Sequence, residues 1–146
     1  MTAAAGTTHI SEIATVFVPV ADQDRSLEFY VGTLGFEKRA DFAYGGRHRW
    51  VEVAPPGSGN SLALVPSSEG ESAGGDVARC AIATADIEAD HAAMRERGVD
   101  VDPEIARTGT PRPGLVSTDV RVEDPVPAQF FFRDPDGNRF LIVQPD

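Results

Sequence analysis

Ile13-Ala14-Thr15-Val16-Phe17-Val18-Pro19-Val20 runs directly into Ala21-Asp22-Gln23-Asp24, and the fold hangs on that passage. Residues 13–20 are rich in β-branched and aromatic side chains and read as a strand. Asp22 and Asp24 then offer side-chain oxygens suited to capping a helix. Leu27, Tyr30, Val31 and Leu34 follow at i, i+3, i+4 and i+7, which makes one apolar stripe of about three turns. Gly35 stands where a left-handed residue closes a helix. Beyond it, residues 36–43, 47–54 and 61–65 read as strands, divided by Gly45-Gly46 and by Pro55-Pro56-Gly57-Ser58-Gly59-Asn60. The first half is therefore β-α-β-β-β.

The same order then recurs. Residues 67–76, rich in Ser, Gly and Glu, form a linker. Residues 77–84 read as a strand and Asp86 as a helix cap, and Ile87, His91 and Met94 share one helical face before Gly98. A short strand opens near 99–101, and residues 129–133 and 139–144 flank the turn Asp134-Pro135-Asp136-Gly137-Asn138. Asp22 and Asp86 lie 64 residues apart, whereas Gly59-Asn60 and Gly137-Asn138 lie 78 apart. The 14 additional residues must fall inside the second half, and the Pro/Gly-containing stretch 108–126 is where they fit. A long irregular segment in a small domain suits a flap over a site. One domain over 1–146 results: module 1 at 11–66, the linker at 67–76, and module 2 at 77–146 with an insertion at 108–126.

The chain of 146 residues is long enough for one domain with a sizeable core and too short for two. Thirteen Lys and Arg against twenty-three Asp and Glu give a net charge of -10, a surface that repels phosphate backbones, so no nucleic-acid partner is expected. Its apolar runs fall far short of the roughly twenty residues that a membrane span requires. Residues 1–8 lack the basic start and apolar stretch of a secretory signal, and Cys80 is the only cysteine. A cytoplasmic protein without membrane contact or internal disulfide is the expectation.

Val18-Pro19-Val20-Ala21-Asp22, Arg25-Ser26-Leu27-Glu28-Phe29-Tyr30, Leu34-Gly35-Phe36 and Phe132-Arg133-Asp134-Pro135-Asp136-Gly137-Asn138 occur in an order and spacing that resembles the vicinal oxygen chelate superfamily. That superfamily includes glyoxalase I, bleomycin-resistance proteins and extradiol dioxygenases. The resemblance implies an α+β fold in which two βαβββ modules form a curved, cup-shaped mixed sheet with helices outside and a ligand inside. It also implies a homodimer. The motifs themselves read as structural: Pro and Gly-Asn suit a reverse turn, and Phe29-Tyr30 suits packing of the first helix, with the Tyr30 hydroxyl needing a partner if buried.

Metal-dependent members place a ligand on the first and last strand of each module, and by resemblance those positions are Thr15, Ala63, Arg79 and Leu141. None is a usual ligand of a divalent ion. A one-residue slip substitutes Ala14, Cys80, Phe140 and Ile142, of which Cys80 alone could bind metal, and a lone Cys is more often a small buried hydrophobe. The three histidines, His9, His48 and His91, are poorly placed to converge. No metal cofactor is expected in the family position.

If the family positions point inward, period-two alternation puts Thr15, Phe17, Ala63, Val65, Arg79, Ala81, Leu141 and Val143 on the cup face. An unpaired inward guanidinium is costly, so Arg79 must meet an internal carboxylate, with Glu52 one candidate, or an anionic ligand. Trp50 reads either as a stacking wall or as a large core residue, and His48 either as a general base or as a half-exposed strand residue. Two functions remain open. One is metal-free binding of a planar hydrophobic or anionic small molecule, as in bleomycin resistance, with Thr15, Phe17, Trp50, Ala63, Arg79 and Leu141 lining the site. The other is a lyase, isomerase or dioxygenase acting on a small carbonyl compound, with His48, Glu52 and Arg79 as the acid/base candidates.

Overall fold

β1 (Thr15–Val20) leads through Asp22, whose carboxylate accepts the Asp24 and Arg25 N–H groups, into α1 (Gln23–Leu27). In this computed structural model, which describes residues 8–69, 72–109, 112–116, 121–122 and 127–145, the helix does not continue as three regular turns. Glu28–Thr33 widens into a π-helical turn, with the Leu34 N–H bonded to the Phe29 carbonyl. Gly35, at φ 81°, then lets the Phe36 N–H return to the Tyr30 carbonyl. The wider turn takes more residues than the α-helical period assumes. Tyr30 is fully buried and Phe29 packs on the core, while Val31, part of the expected stripe, is exposed.

β2 (Glu37–Tyr44), β3 (His48–Ala54) and β4 (Ser61–Pro66) complete the first module in the sheet order β1-β4-β3-β2, with β1 parallel to β4. The second module contains β5 (Ala81–Ala83), α2 (Ile87–Glu96), β6 (Asp100–Val101), the pair β7 (Arg112–Pro113) and β8 (Arg121–Val122), β9 (Gln129–Arg133) and β10 (Arg139–Val143). Its sheet runs β5-β10-β9-β6 with β5 parallel to β10, which is the topology of the first sheet once β7 and β8 are set aside. The fold is thus the expected α+β arrangement of two βαβββ modules. β5 is shorter than the expected strand over 77–84, although the Arg79 N–H still reaches the Arg139 carbonyl.

β7 and β8 have no counterpart in the first sheet. β7 and β8 form an antiparallel pair, and the Leu115 carbonyl accepts the Ala78 N–H. The flap expected over 108–126 lies largely outside the described residues, as do the start of the chain at 1–7 and positions 70–71 of the linker.

Alternation divides each sheet into two faces. Val18, Val20, Val51, Val53, Leu62 and Leu64 from the first sheet join Phe130, Phe132, Phe140 and Ile142 from the second in one core, together with Ile87 and Met94 of α2. The first helix belongs to both modules: the Tyr30 ring meets Phe140 edge-on at 6.2 Å, and Phe29 lies 6.3 Å from Phe132. Its phenol donates to Asp134 Oδ2 at 2.7 Å. The same carboxylate accepts the Asn138 side-chain amide and the Asp136 and Asn138 backbone N–H groups, which fills the acceptor sites of a side chain that is 5% exposed. Asn138 in turn donates to the Pro19 carbonyl of β1, and Asp136 takes the Ala21 N–H and Arg25. The Asp-Pro-Asp-Gly-Asn turn is therefore a clamp between modules. Burial and the adjacent Asp134 push the Tyr30 phenol well above its usual pKa, so it remains a donor.

Tyr30→Phe keeps the ring packing and removes one donor from a buried carboxylate. It should cost about 1–3 kcal/mol in urea unfolding with an unchanged m-value. An unchanged midpoint would show that this bond does not hold the modules together.

Candidate functional site

Strand register decides which side chains share the outer face of the first sheet. Thr15 pairs with Ser61, Phe17 with Ala63, Ala63 with Glu52, Ala40 with Glu52, Phe42 with Trp50 and Tyr44 with His48. Directly opposed residues project to the same side. Their neighbours in sequence, Val16, Val18, Val51, Val53, Leu62 and Leu64, supply the core, so this set faces away from it. The result is an unusually apolar open face: Phe17 is 59%, Phe42 54% and Tyr44 43% exposed, and Trp50 is half-buried.

A polar thread crosses this face. The Ser61 hydroxyl donates to Glu52 Oε1 at 2.5 Å and Trp50 Nε1 donates to Glu52 Oε2 at 2.6 Å. Thr15 Oγ1 lies 3.3 Å from Ser61 Oγ, and with the Ser61 proton committed to Glu52, Thr15 is the donor of that contact. Hydrogen bonds from Ser61 first, then Trp50, hold the Glu52 carboxyl below the usual glutamate range. The indole is fixed in turn. Phe17 stands 6.1 Å from it at 81° and Tyr44 6.4 Å away at 71°, while His48 stacks on Tyr44 at 5.2 Å.

The residues expected at a site fall into two groups. Thr15, Phe17, Trp50 and Ala63, with His48 and Glu52, share the face just described, whereas Arg79 and Leu141 belong to the second module. Leu141 is buried between Ala81 and Phe131 of neighbouring strands. Arg79 donates to the Ser72 and Gly74 carbonyls, and Glu52 takes its donors from Ser61 and Trp50. Arg49 leaves the face altogether: it forks Asp41 at 2.8 and 2.9 Å and reaches Asp24 at 2.8 Å, which lowers the Asp41 pKa to about 2. Phe42, Tyr44 and Ser61 were not anticipated. The signal for the first two was the tight Gly45-Gly46 turn, since it places 44 opposite 48 and 42 opposite 50.

The positions that hold metal in metal-dependent relatives carry a poor donor set. The Thr15 hydroxyl is engaged with Ser61, Ala63 and Leu141 offer no donor atom, and Arg79 is a cation. Among the described residues no group of three or more His, Cys, Asp or Glu side chains converges. His91 bonds the Asp102 carbonyl at 2.7 Å and packs on Phe130, and burial pushes the Cys80 thiol up. A separate cleft of about 550 Å³ runs past Ile13, Val16, Pro55, Cys80 and Ala83. No helix among the described residues is long and apolar enough to cross a membrane.

The family model described as Glyoxalase/Bleomycin resistance protein/Dioxygenase superfamily matches residues 9–142. A solved structure of TnmS3, described as an antibiotic binding protein from Streptomyces sp. CB03234, is 34% identical with a TM-score of 0.71, covering 96% of this chain and 100% of that one. A member of the same superfamily from Sphaerobacter thermophilus DSM 20745 is 30% identical with a TM-score of 0.77, covering 94% and 100%. The Bacillus subtilis protein YetH is 29% identical over 135 residues, 92% of this chain and 99% of that protein.

A depressed carboxyl pKa stabilises the fold above the unfolded-state value near 4.3, and that contribution is lost as pH falls through the folded-state value. Ser61→Ala should therefore raise the Glu52 midpoint in a carbon-detected NMR titration. It should also cost about 1 kcal/mol at neutral pH, a deficit that disappears in acid. An unmoved midpoint would mean that Ser61 does not hold the charge.

Proposed function

The chain belongs to the Glyoxalase/Bleomycin resistance protein/Dioxygenase superfamily, and on that premise we propose that it binds a small planar, hydrophobic compound on the outer face of its first sheet without a metal ion. The observation that carries this reading is the wall of Phe17, Phe42, Tyr44 and Trp50 around a held polar thread. Apolar walls with a few fixed polar groups are the general make-up of small-molecule sites. A folded chain ordinarily covers such rings, and here three of them are largely exposed.

Similarity to TnmS3, described as an antibiotic binding protein, supports binding and sequestration over chemistry. So does the state of the acid/base candidates: Glu52 is tied by two donors and Arg79 is engaged by backbone carbonyls. The reading includes a homodimer, since a second copy lying over the exposed rings would close the face and exclude water. It also includes action in the cytoplasm, where one unpaired cysteine is stable.

Trp50→Ala should weaken binding of a fused-ring aromatic compound at least about tenfold by calorimetry, the scale of one lost ring contact, with the fold retained by circular dichroism at the temperature of the measurement. A chelator, or added nickel, zinc, iron or manganese, should leave the Tm of purified protein unchanged. A stoichiometric metal with a clear thermal shift would overturn the metal-free reading.

A further inference from the structure

We infer that the compound held on this face carries a cationic nitrogen, a protonated amine or a flat delocalised cation, seated against Glu52 between the rings of Trp50, Tyr44 and Phe42. The inference rests on the binding reading above and adds the charge of the ligand to it.

Glu52 sits in the middle strands of the face with small neighbours on both sides: Ala40 pairs with it from β2 and Ala63 from β4. Neither carries a side chain long enough to cover the carboxylate. The Trp50–Phe42 pair stands next to the Glu52–Ala40 pair and the Tyr44–His48 pair one further along, and Glu52 is only half-buried, so a flat ligand lying against these rings reaches the carboxylate. Each Glu52 oxygen accepts one hydrogen bond from the sheet, Ser61 on Oε1 and Trp50 on Oε2. An ionised carboxylate has about four acceptor sites, more than its neighbours in the sheet fill, so capacity remains for a ligand. Both sheet contacts are donors, which keeps the group charged when a ligand arrives.

The rings favour the same sign. An aromatic face carries negative potential, and a cation within about 6 Å of the ring centre is attracted to it. Trp50 has Phe17 and Tyr44 near right angles to it, so the rings form corners where a cation meets more than one of them. An anion would meet the Glu52 charge. The nearby guanidinium of Arg49 is forked by Asp41 on the opposite face, and Arg79 donates to the linker carbonyls. A net charge of -10 also draws cations toward the protein and repels anions.

The test uses the full chain and three probes with one ring system: 9-aminoacridine, a cation at neutral pH, neutral acridine, and the anion acridine-9-carboxylate. Trp50 is the only tryptophan, so its fluorescence quenching reports from this face, and equilibrium dialysis supplies the affinities independently. The cation should bind about tenfold tighter than the neutral probe, the scale of a charge-assisted contact with ring support, and the anion weakest. Raising salt toward 1 M should shrink the ratio in the unmodified protein. Glu52→Gln should bring the cation-to-neutral ratio to within about twofold, and Ala40→Leu, which crowds the approach to Glu52 from its half-buried cross-strand neighbour and keeps the charge, should weaken the cation too. Equal affinity for cation and neutral probe, or a preference that survives Glu52→Gln, overturns the inference and leaves the binding reading standing. Failure of all three probes to bind removes both.

Discussion

The Asp134 carboxylate is the point on which the two modules depend. It is buried, it accepts four hydrogen bonds, and one of them comes from Tyr30 on the far side of the sequence. An unsatisfied carboxylate at that depth would cost several kcal/mol, so the turn that carries it and the helix that serves it must come together. Asn138 extends the constraint by donating to the Pro19 carbonyl, which fixes the end of β1 relative to the second module. β1 is the strand that places Thr15 and Phe17 at the edge of the open face. The clamp and the candidate site are two ends of one strand.

From there strand alternation does the sorting. With Val16, Val18 and Val20 drawn into the shared core or packed against it, Thr15 and Phe17 have to point the other way. The same logic sends Val51 and Val53 inward and Trp50 and Glu52 outward. Two hydrogen bonds then hold the half-buried glutamate as a fixed anion, and the indole that supplies one of them is positioned by its own bond. Family membership says which face to examine. The residues on it say what the face can hold, and here they are rings around a carboxylate held by two donors.

Much of this was legible in the sequence because it depends on local pattern. The recurring strand and helix order gives the two βαβββ modules, and the Ile87, His91 and Met94 stripe matches the buried side of α2. The Phe29-Tyr30 pair was read as packing, and the need of its hydroxyl for a partner pointed toward the clamp without naming Asp134. Other features depend on geometry that spacing does not encode. The π-helical turn at Glu28–Thr33 exposes Val31 and packs Phe29 against the core, contrary to a regular helical stripe. The sequence offers Glu52 as a partner for Arg79, whereas its donors come from a cross-strand serine and a residue two positions away. Phe42 and Tyr44 join the face through hairpin register, which only the pairing of β2 with β3 makes visible.

The central claim is that small planar compounds bind at Trp50 on the outer face of the first sheet. Its most direct measurement is a nitrogen–proton NMR titration of the protein, whose single tryptophan gives one indole resonance. With a fused-ring aromatic compound that binds, that resonance should move together with the amides of Phe17, Phe42 and Glu52, all with one Kd. A bound compound that leaves the indole in place and shifts Cys80, Ala81 and Ile82 instead, along the cleft between β1 and β5, would contradict it.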